Sequence, residues 1–263
     1  MRSPKRQSLT TAYVRDFHPP PYLNKARILL VDIETLPALG FFWDRPWETS
    51  IIEVVKEWQI LSFSAKWLGG EQETHINHKT DKFLVKKLWN LLDNSDIVIG
   101  QNLDRFDIRK INSRFLFYNL PPPSPYKTVD TLKVARKNFA LLSNKQDDLG
   151  KYLKIGGKIK VDKGLWLGCI KGDKKALKRM AKYNAHDVKM LEKIYLRFQP
   201  WLKLNLGMFS ASTCCPKCGS KKLQRRGFTC NATTQYQKIQ CQSCFGWSRT
   251  SLNLRETKPL ISL

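Results

Sequence analysis

The chain has 263 residues, enough for one large domain and a small second one, and its 42% hydrophobic and 11% aromatic content allows a sizeable core. A formal net charge of +24, from 46 Lys and Arg against 22 Asp and Glu, points to a polyanionic partner, most often nucleic acid, with a membrane surface as the alternative. No apolar stretch reaches transmembrane length and none follows Met1 to Arg6, so no span or signal peptide is expected and the expected location is the cytosol.

Residues 1–25 are basic and polar with Pro19-Pro20-Pro21, and read as an arm without its own core. Ala26 to Thr35 opens as an apolar, partly β-branched run, the pattern of a buried strand, and ends in Asp32 and Glu34. Residues i and i+2 of a strand share a face, so the two carboxylates lie side by side with Ile33 turned to the opposite layer. Such a pair repels and is costly to desolvate unless a cation sits between its members. The strand therefore predicts a divalent metal site. The plain alternative is a strand that ends in a solvated acidic turn.

Residues 36–47 hold Phe41, Phe42, Trp43 and Trp47. Most of these are expected to pack over the sheet, with Trp43 and Trp47 as candidates for stacking on a base. Trp58 to Trp67 reads as a second strand and Glu73 to Asn77 as a third, joined by a hairpin through Gly69-Gly70. Residues 80–92 have the apolar spacing of an amphipathic helix, with 83, 84, 88, 91 and 92 apolar. Asp96 to Gly100 is a short buried strand. It leads through Asn102 and Phe106 to Asp107, where Ile108, Ile111, Phe115 and Leu116 continue at helical spacing.

Pro121 to Pro125 forms a stiff crossing. Asp130 is an N-cap for a helix over residues 132–138, and Asp147 and Asp148 open a short helix over 149–153, so these three acids read as structural. Lys158 to Lys163 is a basic loop. Residues 173–198 are helical in pattern, and Tyr183 and Asp187, at i and i+4, share a face with Met190, Leu191 and Ile194. That face points inward, and an inward carboxylate needs a partner.

From residue 201 onward there are ten Lys and Arg and one acid, Glu256. Two CxxC knuckles, Cys215/Cys218 and Cys241/Cys244, stand 22 residues apart with β-like runs at 222–229 and 235–240 between them. This is the layout of a four-cysteine zinc ribbon holding one structural Zn2+. Cys169, Cys214 and Cys230 are expected as small buried hydrophobes, with Cys214 a competitor for the place of Cys215. The expected division is an arm at 1–25, a main domain at 26–205, the ribbon at 206–252 and a tail at 253–263.

Asp32-Ile33-Glu34-Thr35, then Asn102 with Phe106-Asp107, then Tyr183 with Asp187 appear in the order of the three motifs of the DEDD 3′–5′ exonucleases, and the chain resembles the branch with tyrosine in its third motif. The sister branch has histidine where Lys182 stands, so His186 is not expected to act as the base. Stretches at 121–127, 130–136 and 143–145 resemble phage-encoded exonucleases described as stand-alone subunits of a DNA polymerase, which also carry the ribbon. One departure is Phe245, where such ribbons have glycine after the last cysteine.

The resemblance implies an α/β, RNase H-like mixed sheet flanked by helices, with two Mg2+ or Mn2+ ions at Asp32, Glu34, Asp107 and Asp187, and Tyr183 orienting the attacking water. Hard cations take oxygen ligands. Two of them about 4 Å apart activate water and stabilise a leaving oxygen. Substrate contacts carry over to Thr35, Asn102, Phe106, Asn144 and Lys145, beside Trp43. The implied activity is DNA 3′-end hydrolysis, with a polymerase acting in trans as a partner. Alternatives are a 3′–5′ exoribonuclease, a structure-specific endonuclease, and a non-catalytic zinc-ribbon adaptor for nucleic acid or polymerase.

Overall fold

The computed structural model describes residues 26–45, 50–206, 213–231 and 233–254. The expected arm, most of the expected tail and Trp47 lie outside the described residues. Chain order is β1 (Ile28–Leu36), β2 (Leu39–Phe42), β3 (Ile51–Lys56), β4 (Gln59–Trp67), β5 (Gln72–Ile76), α1 (Lys82–Asp93), β6 (Ile97–Gly100) and α2 (Asp107–Phe117). There follow β7 (Lys127–Asp130), α3 (Thr131–Asn138), α4 (Gln146–Tyr152), α5 (Lys163–Ile170), α6 (Lys174–Phe198), β8 (Leu223–Cys230), β9 (Gln235–Cys241) and β10 (Trp247–Arg249).

A mixed five-stranded sheet runs β5-β4-β1-β6-β7, with β4 antiparallel to β1 and β5, and β6 parallel to β1 and β7. With helices on both faces this is the RNase H-like arrangement. Alternation along β1 sets the layers. Leu29, Val31 and Ile33 pack with α1 and α2, while Ile28 and Leu30 pack with α6. Asp32 and Glu34 continue the second parity, so a period of two brings both carboxylates under α6.

A buried ion pair fixes α2 to the sheet. Arg114 donates to both Asp81 oxygens (2.6 and 2.7 Å), which also accept the Tyr118 hydroxyl (2.6 Å) and the Ile60 amide (3.0 Å). Removing one member of such a pair costs about 3–5 kcal/mol, because the other charge is left buried alone.

Three expectations need correction. Phe41, Phe42 and Trp43 do not pack over the sheet: Leu39 to Phe42 pairs with β3 as a two-stranded sheet of its own. Every residue of β2 and β3 is exposed, including Phe41 and Phe42, and Trp43 beyond them is 86% exposed. Apolar and aromatic side chains fill cores and also occur at contact surfaces, so composition alone does not separate the two. Phe83 and Leu116 likewise keep helical spacing yet face outward. Cys169 is fully buried as expected, but Cys230 is exposed and Cys214 only half-buried. β2, β3, β7, α5 and β10 have no counterpart among the expected elements.

Asp130 caps α3 through the Leu132 amide (3.0 Å) as expected, and its carboxylate also accepts the Asn102 amide (2.9 Å). The small three-stranded sheet runs β10-β9-β8. It stays tied to the segment after α6 by the Leu206 amide on the Pro216 carbonyl (2.6 Å) and the Lys217 ammonium on the Leu202 carbonyl.

Candidate active site and zinc centre

Three elements converge on the carboxylates. β1 carries Asp32 and Glu34 opposite Ser64 and Ser62 of β4, and the pairing slips by one residue between Glu34 and Thr35. Such a bulge re-aims the side chains beside it. α6 brings Asp187 from the opposite layer. Asp32, Glu34 and Asp187 each offer an oxygen within 4.8 Å of the others. Asp107 opens α2 and lies beside the trio without joining it; its Oδ1 accepts the Ile33 amide (3.1 Å).

Burial and mutual repulsion dominate the electrostatics. Burial first, then the Asp187 charge, raises Asp32 to about 7. Burial, then Asp32 and Asp187, raises Glu34 to about 8. Burial and Asp32 lift Asp107 well above the carboxylate range. Asp187 is also raised by burial, against the pull of Lys158. Asp187 Oδ1 is buried with no hydrogen-bond partner. A largely buried set of hard oxygen donors with one unsatisfied atom fits a divalent cation.

Tyr183 is buried against Leu36, Leu61 and Met180, with Trp166 of α5 edge-on to its ring at 6.4 Å. Burial and the Asp187 charge push its hydroxyl up to about 12, so it stays protonated at neutral pH. His186, beside Asp187 on α6, has its Nε2 2.9 Å from the Gly157 carbonyl oxygen.

Lys158, Gln146 and Asn184 are site residues that escape a reading of the sequence. Lys158 belongs to the expected basic loop, yet its ammonium lies 2.5 Å from Asp187 Oδ2 and 3.4 Å from the Tyr183 hydroxyl. Burial alone would lower that ammonium, but Asp187 pushes it up, so it is charged. The loop reaches inward because Gly150 lets it close on α4: a Cβ there would lie 2.5 Å from the Gly156 carbonyl oxygen. Asp147 then accepts the Lys158 amide (2.7 Å), and Gln146 donates to the Asp187 carbonyl (2.7 Å). Asn184, fully buried, donates to Asp32 Oδ2 (2.6 Å) while its own oxygen accepts the Ser62 hydroxyl (3.2 Å). The sequence signal for Lys158 is the preceding Gly156-Gly157 turn. For Asn184 it is an amide next to Tyr183 on an inward helix face.

The other expected substrate residues lie on β1, just after β2, in the turn from β6 to α2, and just before α4. Asn102 adopts a left-handed conformation (φ 59°) that asparagine tolerates, which turns β6 toward α2. Phe106 is exposed at the start of α2. Asn144 Oδ1 is buried without a partner, and Lys145 is exposed at the N-cap of α4. Thr35 is half-buried just past the bulge, and no described contact links Trp43 to the carboxylates.

At the C-terminal end, Cys215, Cys218, Cys241 and Cys244 are buried with their sulfurs together, at 3.7 Å for both Cys215–Cys244 and Cys218–Cys241. A tetrahedron with Zn–S bonds of about 2.3 Å has edges of about 3.8 Å, so the four fit Zn2+. Cys215 belongs to the cluster and Cys214 does not. The first knuckle closes through Gly219 at φ 76°, and the second forces Phe245 into the same region at φ 59°.

No protein-family model matches the sequence, and no curated protein matches it. Among solved structures the chain is similar to the family B DNA polymerase from the hyperthermophilic archaeon Pyrobaculum calidifontis, at 15% identity and a TM-score of 0.49. That alignment covers 80% of this chain and 32% of the polymerase chain. Among the described residues, no helix is long and apolar enough to cross a membrane.

Proposed function

We propose that the chain is a metal-dependent 3′–5′ exonuclease that hydrolyses phosphodiester bonds at the 3′ ends of DNA, in single strands or frayed ends. The observation that carries this reading is the carboxylate trio with its unpartnered Asp187 Oδ1. Asp32, Glu34 and Asp187, with Asp107 beside them, would hold Mg2+ or Mn2+. Bound there, such ions supply Lewis-acid activation of water and charge stabilisation at the leaving 3′ oxygen.

The chain's own residues hold the rest of the arrangement. Asn184 fixes the orientation of Asp32, and Gln146 fixes the backbone at Asp187. Tyr183, protonated and braced by Trp166, donates a hydrogen bond that orients the attacking water and does not take its proton. Lys158 places a positive charge beside Asp187 and Tyr183, where negative charge would gather on the phosphoryl oxygens. Water adds to phosphorus and the 3′ oxygen of the preceding nucleotide leaves, releasing a nucleoside 5′-monophosphate. The four-cysteine cluster would hold a structural Zn2+, and a DNA polymerase acting in trans is the proposed protein partner.

A 5′-labelled single-stranded DNA oligonucleotide incubated with Mg2+ should give a ladder of products shortened one nucleotide at a time. Discrete internal products would replace this reading with an endonuclease, and no cleavage with either metal would leave a binding adaptor. A parallel RNA lane decides the sugar.

A further inference from the structure

One face of the three-stranded sheet has no part in the chemistry above. Directly opposed residues of an antiparallel pair share a face. Trp247 opposes Gln240, Arg249 opposes Lys238, and Gln224 opposes Gln240. Side-chain contacts agree with that register. The Arg249 guanidinium carbon lies 3.6 Å from the Tyr236 ring centroid, the Lys238 ammonium is 5.9 Å from the Trp247 ring centroid, and Arg226 donates to Gln240 (3.2 Å). A single surface therefore carries Trp247, Tyr236, Arg226, Lys238 and Arg249. Three amide side chains lie among them, two joined by Gln242 donating to Gln224 (3.0 Å).

Charge decides what such a surface accepts. Residues 213–254 contain seven Lys or Arg and no Asp or Glu, so no carboxylate within this stretch neutralises them. Trp247, Arg226 and Arg249 are exposed. A polyanion is complementary to the cations. The indole face and the guanidinium plane on Tyr236 add stacking surface, and the glutamines can pair with base edges in either donor or acceptor sense. A duplex offers the phosphates but keeps its base faces covered. We infer that this face of the ribbon is a binding platform for single-stranded nucleic acid, with phosphates on Arg226, Lys238 and Arg249 and a base on Trp247. The inference does not rest on hydrolysis at the carboxylates.

The test is fluorescence anisotropy of labelled oligo-dT (dT20) with the full-length, zinc-loaded chain and no added Mg2+ or Mn2+, across a salt series. Trp247→Ala should weaken binding about tenfold, and Trp247→Phe should restore most of it. The combined Arg226→Ala, Lys238→Ala, Arg249→Ala variant should bind more weakly, with a salt slope smaller by about 2. One zinc per chain in each variant shows that the ribbon has kept its fold. A variant that loses zinc is replaced by Arg226→Gln, Lys238→Gln, Arg249→Gln, expected to show the same loss of slope. Unchanged affinity and slope in the zinc-loaded variants would overturn the inference. So would equal affinity for a 20-base-pair duplex, or competition by polyglutamate as effective as that by dT20. The last result would mark the face as one for an acidic protein.

Discussion

The two charged regions of this protein are opposites in every respect that electrostatics measures. The carboxylate site gathers negative charge on half-buried Asp32 and Glu34 against buried Asp187, where desolvation and repulsion lift Asp32 and Glu34 to about 7 and 8. The ribbon spreads positive charge over an exposed surface, where solvent screens it at little cost. A buried cluster of like charge is relieved by small hard cations held at fixed positions. An exposed patch of like charge is relieved by a polyanion held loosely and in a salt-sensitive way. One arrangement suits bond-breaking and the other suits retention of a strand.

The largest expected effect separates the two regions. Asp187→Ala should bring hydrolysis of a DNA oligonucleotide below detection while leaving dT20 affinity without divalent metal within about twofold of wild type. Full activity of that purified variant would sink the nuclease reading. Removing zinc, by a chelator or by Cys241→Ser, should do the reverse to binding. Zinc supplies about 10–16 kcal/mol in structural sites of this kind, so the ribbon should unfold and dT20 affinity collapse. Circular dichroism and anisotropy report the two losses together, and retained affinity in a zinc-free chain would break the contrast.

Asn184→Ala should lower hydrolysis by about 10–100-fold, the usual cost of removing a group that orients a metal ligand. Asn184→Asp, which adds a charge but loses the donor, should not rescue it. Raising Mg2+ should recover part of the activity of Asn184→Ala if the defect lies in metal affinity.

The pH dependence of stability has a defined sign. Asp32 and Glu34 are raised in the folded chain, so between about pH 4 and pH 8 the metal-free folded state binds more protons than the unfolded state. Stability of the metal-free chain should therefore fall as pH rises through that window. Mg2+ displaces these protons, and its increment in Tm should be larger at about pH 8 than at about pH 5.5. Equal increments would mean that the carboxylates are not the principal binding site. The smallest effect belongs to the second knuckle. Phe245→Gly should stabilise the ribbon by about 1 kcal/mol, because only glycine occupies φ 59° without a steric penalty. Thermal melting of the zinc-loaded chain would detect the gain.

Short-range periodicity and spacing in the sequence by themselves determined the parts of this protein that depend on neighbours along the chain. The two-residue period of β1 put Asp32 and Glu34 on one side. The four-residue interval put Tyr183 and Asp187 on the inward face of α6, and the paired CxxC spacings marked the four-cysteine cluster. Backbone geometry fixes those relations before any tertiary contact forms. Tertiary structure alone decided the rest. Residues 39–42 became one strand of an exposed two-stranded sheet because they pair with β3, a partner that their apolar composition does not specify. Lys158 turned from a solvated loop to Asp187 because Gly150 and Asp147 let the chain close there, eight and eleven residues upstream. Asn184 gained its role only when β4 placed Ser62 on one side of it and β1 placed Asp32 on the other. Each of these depends on groups brought together from distant parts of the chain.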